Sequence, residues 1–254
     1  MRKYILIACF ILMATTNKQV EQLKLIQKTE FPVFMGDTAQ CSYTADLHFF
    51  LCGGAIDDSI NRYTVMRSLS RSPDTAASLN KKYFEALMKE NWNAFKAEFA
   101  LVNTELGSAK ATHYEKKTRS TLLFKNRKII SYSIDNYYFT GGEHGHQNIF
   151  YQVFNRKNGN KIPWNNLISD SAAVARIAQT VYRQIQMKKG VPEYTAGYFP
   201  KGNFYLSNNY YIDKDNLYFH YNTYEIGSFL DGPTTLKIPL KDVKEYMNTT
   251  RIEI

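Results

Sequence analysis

From about Ala109 the chain alternates its side chains with a period of two through three successive stretches, ATHYEKKTRSTLLFKN, KIISYSIDNYYFTGG and QNIFYQVFNRKNG. Asn126-Arg127 and Gly141–Gly145 provide the breaks between them. Period two is the signature of a strand, because successive Cβ atoms point to opposite faces. Breaks this short leave room only for hairpins, so the three stretches predict adjacent antiparallel strands. RKNGNK predicts a further turn, with Asn158-Gly159 suited to positive φ.

The flanking segments are organised around this sheet. VEQLKLIQKTEF and SYTADLHFFL predict two more strands, with Met35-Gly36-Asp37 turning between them. Ile56, Ile60, Tyr63 and Met66 recur at helical spacing after Gly53-Gly54. Leu79, Tyr83, Leu87, Trp92, Phe95 and Phe99 form the apolar stripe of a longer helix, for which Asp74 is the expected cap. Ser169 or Asp170 caps a third helix that turns Val174, Ile177, Val181 and Ile185 inward and ends at Gly190. NFYLSNNYYID and NLYFHYNTY predict strands joined around Asp213–Asn216, followed by a short strand at TLKIPL and a final helix from about Lys241. Strands in blocks with segregated helices give α+β: mainly antiparallel sheet with helices packed on one side, in two sub-domains that can form one compact unit.

The N-terminus has a separate character. Arg2-Lys3 precedes the apolar run Tyr4–Ala14, which is too short for a permanent span and reads as a secretory signal over residues 1–16. Export to the periplasm or the extracellular space follows. Leu6-Ile7-Ala8-Cys9 resembles a lipobox, so membrane attachment is expected only through lipid on Cys9. Cys41 and Cys52 then remain as a pair in an oxidising compartment, and a disulfide between them is expected. The formal net charge is +9, of which Arg2 and Lys3 supply two. Such a surplus favours anionic partners. Because Lys and Arg are scattered singly rather than clustered, nucleic acid is not an expected partner.

Candidates for chemistry are few. In GGEHGH, residues 141–146, an extended backbone would place His144 and His146 on one face, with His220 the most attractive third ligand. That gives a metal-assisted hydrolase as one alternative reading, a structural envelope lipoprotein being the other, although a structural His144 is favoured and no metal or cofactor is expected. SFLDGPTT, residues 228–235, resembles the carboxylate motif of polysaccharide deacetylases, but Leu230 occupies the first aspartate position and deacetylation is not expected. There is no Gly-x-Ser-x-Gly elbow and no phosphate loop. Tyr137, Tyr138, Tyr210, Tyr211, Tyr218 and Tyr224 could supply flat faces to a glycan, although alternation in strands sends half of such rings inward.

Tyr138-Phe139-Thr140-Gly141-Gly142-Glu143-His144-Gly145 resembles the Tyr-x-Tyr-x-Gly-Gly-x-His-Gly signature of a bacterial exported family. So do the Asn155–Ile162 turn, Asn203-Phe204-Tyr205-Leu206, Tyr218-Phe219-His220-Tyr221, Tyr224-Glu225-Ile226 and the terminal Ile238-Pro239. The family comprises RsiV/PdaC-like extracytoplasmic domains, found in lysozyme-sensing anti-sigma factors and in the non-catalytic part of a peptidoglycan deacetylase. The resemblance spans about Val20 to Met247. It implies a PdaC-like region over 17–156 and an RsiV-like region over 157–254. It also implies a non-enzymatic binding module at the cell envelope that recognises a protein or a peptidoglycan-related glycan. Tyr138, His144, Tyr221, Tyr224 and Glu225 are the binding residues it suggests. Lysozyme sensing is not expected to carry over unchanged, since animal-type lysozymes are basic and so is this chain.

Overall fold

A computed structural model describes residues 20–32, 38–51, 54–70, 79–105, 113–190, 199 and 202–248. In chain order these form β1 (Val20–Pro32), β2 (Thr38–Phe50), α1 (Ala55–Ser68), α2 (Lys81–Glu105), β3 (His113–Lys125), β4 (Ile129–Phe139) and β5 (His146–Asn155). There follow β6 (Lys161–Ile162), α3 (Ser171–Lys188), β7 (Tyr210–Ile212), β8 (Asn216–Tyr221), β9 (Thr234–Pro239) and α4 (Leu240–Val243). The strands make one six-stranded sheet in the order β1 to β6 and one three-stranded sheet, β7-β8-β9. With four α-helices among the described residues, the fold is α+β. No helix among the described residues is long and apolar enough to cross a membrane.

Contacts divide the chain into two units. The first takes the described residues up to Thr121 together with Ile134–Asn148; the second takes Leu122–Ser133 and the described residues from Ile149 onward.

In the first unit, β2 alternates from Ala39 to Phe49. Ala39, Cys41, Tyr43, Ala45, Leu47 and Phe49 are buried, whereas Ser42, Thr44, Asp46 and His48 are partly exposed. The hairpin with β1 sets Leu23 opposite Leu47 and Leu25 opposite Ala45, so both strands turn the same apolar face toward α2. That helix buries Phe84, Leu87, Met88, Trp92, Phe95 and Phe99, and Trp92 stacks on Tyr43 with centroids 6.3 Å apart. The expected stripe is met except at Tyr83, which is only partly buried while Phe84 takes the inner position. Asn80 begins the helix, its Oδ1 accepting from the Tyr83 amide at 2.9 Å. The expected cap Asp74 lies outside the described residues, as do the 1–16 signal, Cys9, Cys52, Gly53 and the Met35–Asp37 turn.

One pairing departs from the antiparallel pattern: β3 runs parallel to β2, with Cys41 opposite Tyr114 and Asp46 opposite Arg119. The reason is the connection. A chain that travels through α1 and α2 before re-entering the sheet returns to the end where β2 started, as every parallel crossover must.

The expected Cys41–Cys52 disulfide is not formed; Cys41 is a free, fully buried thiol. Cys41 sits early in β2, and an extended chain rises roughly 3.3 Å per residue. The far end of β2 at Phe50 is therefore about 30 Å away, whereas a disulfide needs Cα atoms within about 7 Å. Burial, reinforced by Glu98, pushes the Cys41 thiol up to about 12. Peptide-resolved alkylation at pH 8 should leave Cys41 unmodified in the native protein and label it fully after denaturation. Native labelling at the rate of an exposed thiol would contradict this burial.

The second unit is built on α3. Asp170 caps it by accepting from the Ala173 amide at 2.9 Å, and Gly190, at φ +83°, ends it. Val174, Ala178 and Tyr182 pack against Leu217, Phe219, Leu236 and Ile238 of the three-stranded sheet, with Ile177, Val181 and Ile185 at the margin. The β5–β6 turn closes through Gly159 at φ +72°, as Asn158-Gly159 predicts. Asp213 Oδ1 holds the β7–β8 turn by accepting from the amides of Asp215 and Asn216 at 2.8 and 2.7 Å.

Two elements are shorter than their patterns. The expected strand from Asn203 is regular only over β7. Asn209 accounts for this: its side-chain amide takes the place of a ladder, accepting from Tyr151 N and donating to Ile149 O at 2.6 Å each. The final helix is the four-residue α4, followed by a 3-10 turn at Lys244–Tyr246.

Candidate functional site

The residues singled out from sequence fall in two places. The first is the turn between β4 and β5. Gly141 and Gly142 have φ of +90° and +100°, values reserved for glycine, and they reverse the chain before His146 opens β5. His144 is exposed on the turn and not in the strand, so the alternation that would align it with His146 does not apply. His146 is partly buried, with its ring 5.3 Å from that of Tyr138, which is exposed. Gly145 has a separate cause. A Cβ there would lie 2.3 Å from the Tyr137 hydroxyl and 2.4 Å from its ring, so the glycine is where Tyr137 is seated.

His220, the third ligand that the metal reading requires, is 2% exposed in the second unit. Its Nδ1 lies 2.8 Å from Thr235 Oγ1 and its Nε2 3.3 Å from Asn222 Oδ1. An amide oxygen only accepts, so Nε2 carries the proton and Nδ1 accepts from the threonine hydroxyl. Both ring nitrogens are thus engaged within the fold. Among the described residues no group of three or more His, Cys, Asp or Glu side chains converges to hold a metal.

The second place is the loop after β8. Tyr221 is fully buried, and its hydroxyl donates to the Tyr205 carbonyl. Its ring meets that of Tyr205 edge-on at 5.6 Å, so it supports its neighbour from below. Asn222 then starts a tight turn. Its carbonyl accepts from Glu225 N at 3.1 Å, while its amide donates to Glu225 Oε2 at 3.0 Å. Desolvation raises the Glu225 carboxyl above its ordinary value, and the bonds from Asn222 oppose that shift.

Inside this turn Tyr224 has φ +71°, a left-handed conformation that costs a non-glycine residue roughly 1–2 kcal/mol. Ile226 is buried and anchors the chain behind it. A second turn follows, in which Asp231 Oδ2 accepts from Ser228 N and Oγ at 2.7 Å and Gly232 takes φ +66°. These two turns lift an apolar group outward: Tyr224 is 56% exposed, Phe229 38% and Leu230 95%, with the Tyr224 and Phe229 rings 6.2 Å apart. Tyr224 and Glu225 are among the residues expected from sequence, whereas Leu230 enters there only at a missing aspartate position and Phe229 not at all. Their signal was a hydrophobic pair immediately before Asp-Gly, a place where turns are normally polar.

The other tyrosines do not form one flat platform. Tyr211 stacks on Tyr218 at 4.2 Å and 5°, and on Tyr151 at 4.5 Å, so these rings cover one another's faces. Tyr210 is core, donating to Ile162 O at 2.6 Å.

Residues 165–241 match the family model described as protein of unknown function (DUF3298). The matched DUF3298 segment contains α3, β7, β8 and β9 and the whole exposed loop. A crystal structure of a DUF3298 family member from Bacteroides fragilis NCTC 9343 is 19% identical, has a TM-score of 0.65 and covers 95% of this chain and 95% of its own. Another DUF3298 family protein, from Pseudomonas aeruginosa PAO1, is 16% identical with a TM-score of 0.59, covering 89% of this chain and 94% of its own. At such identities the likeness is one of fold. No curated protein matches the chain.

Proposed function

We propose that this chain is a non-enzymatic binding module, exported to the bacterial cell envelope and related to the RsiV/PdaC-like extracytoplasmic domains. It recognises a protein or a peptidoglycan-related glycan there through the Tyr224–Leu230 loop. The observation that carries this reading is the strained, outward-facing Tyr224, held by Asn222 and Glu225 beside exposed Phe229 and Leu230. Backbone strain of this kind persists where the surrounding structure imposes it, and it clusters at ligand clamps. Exposed apolar side chains on a fixed loop supply the central contacts of an interface. The engaged His220 supports a binding role over hydrolysis, because neither ring nitrogen is left to bind a metal.

The test is capture on immobilised protein lacking residues 1–16, using envelope proteins on one side and a glycan array on the other. A ligand retained by the native protein should be lost on Leu230→Asp, which sets a charge at the apolar tip without touching the core. Failure of both classes to bind, or equal capture by the variant, would sink the proposal.

A further inference from the structure

The first unit carries a cleft of about 460 Å3 on the sheet face that β2 turns away from α2. Its lining includes Lys24, Asp46, Arg119, Asp135, Tyr137 and Gln147. Register places three of these in a row: Lys24 on β1 stands opposite Asp46 on β2, and Asp46 opposite Arg119 on β3. Neighbouring strands lie about 4.8 Å apart, so the two cations flank the carboxylate with their Cα atoms roughly 10 Å apart.

A solvated sheet face also carries alternating charges, so the mixture alone decides nothing. The partners are more informative. Asp46 accepts from Gln22 Nε2, Asp135 accepts from Gln147 Nε2 at 2.8 Å, and Lys117 pairs with Glu115 at 2.7 Å. Lys24 and Arg119 make no hydrogen bond or ion pair among the described residues. Asp46 and Asp135 are therefore oriented by amides, while Lys24 and Arg119, which flank Asp46, keep their donors free of any partner among the described residues. Tyr137 enters the lining because Gly145 leaves room for its ring, and Lys117 Nζ lies 5.6 Å from the ring centroid. The volume falls within the roughly 300–1,000 Å3 of small-molecule sites.

We infer that this cleft binds a carboxylate-bearing saccharide. Arg119 offers a planar pair of donors that matches a carboxylate, and Lys24 supplies a second positive charge. Asp46, Asp135 and Gln147 accept from or donate to sugar hydroxyls. A neutral sugar would leave both free cations idle, and a run of acidic residues would meet Asp46, Asp135 and Glu115 as like charges. A ligand with isolated carboxylates among many hydroxyls satisfies both conditions. This site is separate from the Tyr224–Leu230 loop and does not depend on the reading given to it.

The test is titration calorimetry of the full mature chain against a panel of carboxylated oligosaccharides (uronates, sialosides and lactyl-ether amino sugars), each beside its methyl ester, with oligoglutamate as the acidic peptide. At least one acid should bind about tenfold or more tightly than its ester, with affinity falling as salt rises. Arg119→Gln should weaken it by about tenfold or more by removing the paired donors, while the unfolding midpoint stays unchanged because Arg119 is exposed. Equal affinity for acid and ester, an unaffected Arg119→Gln, tighter binding of oligoglutamate, or no binding across the panel would each overturn the assignment.

Discussion

Asn222→Ala should destabilise the second unit by about 2–4 kcal/mol, since it strips partners from several buried groups at once. Asn222 is 6% exposed. Its Oδ1 accepts from Ile149 N at 2.7 Å and its Nδ2 donates to Ile149 O at 3.2 Å, the pair of bonds a neighbouring strand would make. The same oxygen receives His220 Nε2. Alanine would leave the Ile149 amide and the His220 N–H without their side-chain acceptor in a buried site. The turn to Glu225 is closed by the main-chain N and O of residue 222, which alanine keeps, so the loss falls on Ile149 and His220. At roughly 2–4 °C per kcal/mol for a chain of this size, the unfolding midpoint should drop by about 5–15 °C. Asn222→Asp, which keeps the acceptor but turns a charged oxygen toward the Ile149 carbonyl and sets a second carboxylate beside Glu225, should cost at least as much at neutral pH. A variant melting within a degree of the native protein would show that the bonds to Ile149 contribute nothing net.

The same residue shows what could and could not be read from sequence. Alternation in strands and three-to-four spacing in helices located almost every element, because a half-buried strand or helix repeats its apolar residues at the element's own period. Gly159, Gly190 and Asp170 act where turn and cap chemistry place them. What stayed hidden were features set by distant partners. Asn209 ends a strand by bonding to β5, and nothing around Asn209 in the chain announces Ile149 or Tyr151. Cysteine counting points to a Cys41–Cys52 pair, yet β2 keeps Cys41 in its apolar face as a free thiol. At the candidate sites, chemistry-bearing residue types drew attention to His144, His146 and His220, whereas the exposed loop rests on Phe229 and Leu230. In the cleft, Lys24 and Arg119 come to flank Asp46 only through a register that spans a long crossover.

Tyr224→Gly should separate strain from recognition, with stability and binding moving in opposite directions. At φ +71° a tyrosine bears a steric cost that glycine does not, so glycine should stabilise the fold by about 0.5–1 kcal/mol, even after its larger entropy in the unfolded chain. Binding through the loop should weaken by about thirtyfold or more, as expected when a central aromatic worth about 2 kcal/mol is removed. Tyr224→Ala supplies the control: it removes the same ring but keeps the left-handed strain, so it should lose binding equally without gaining stability. If the two variants melt alike, the left-handed turn is relaxed without cost and is not held under strain. If either retains native affinity for a ligand that Leu230→Asp abolishes, recognition runs through Phe229 and Leu230 alone. Only a gain in stability with glycine, joined to loss of binding in both variants, fits a loop whose strained aromatic is kept for contact.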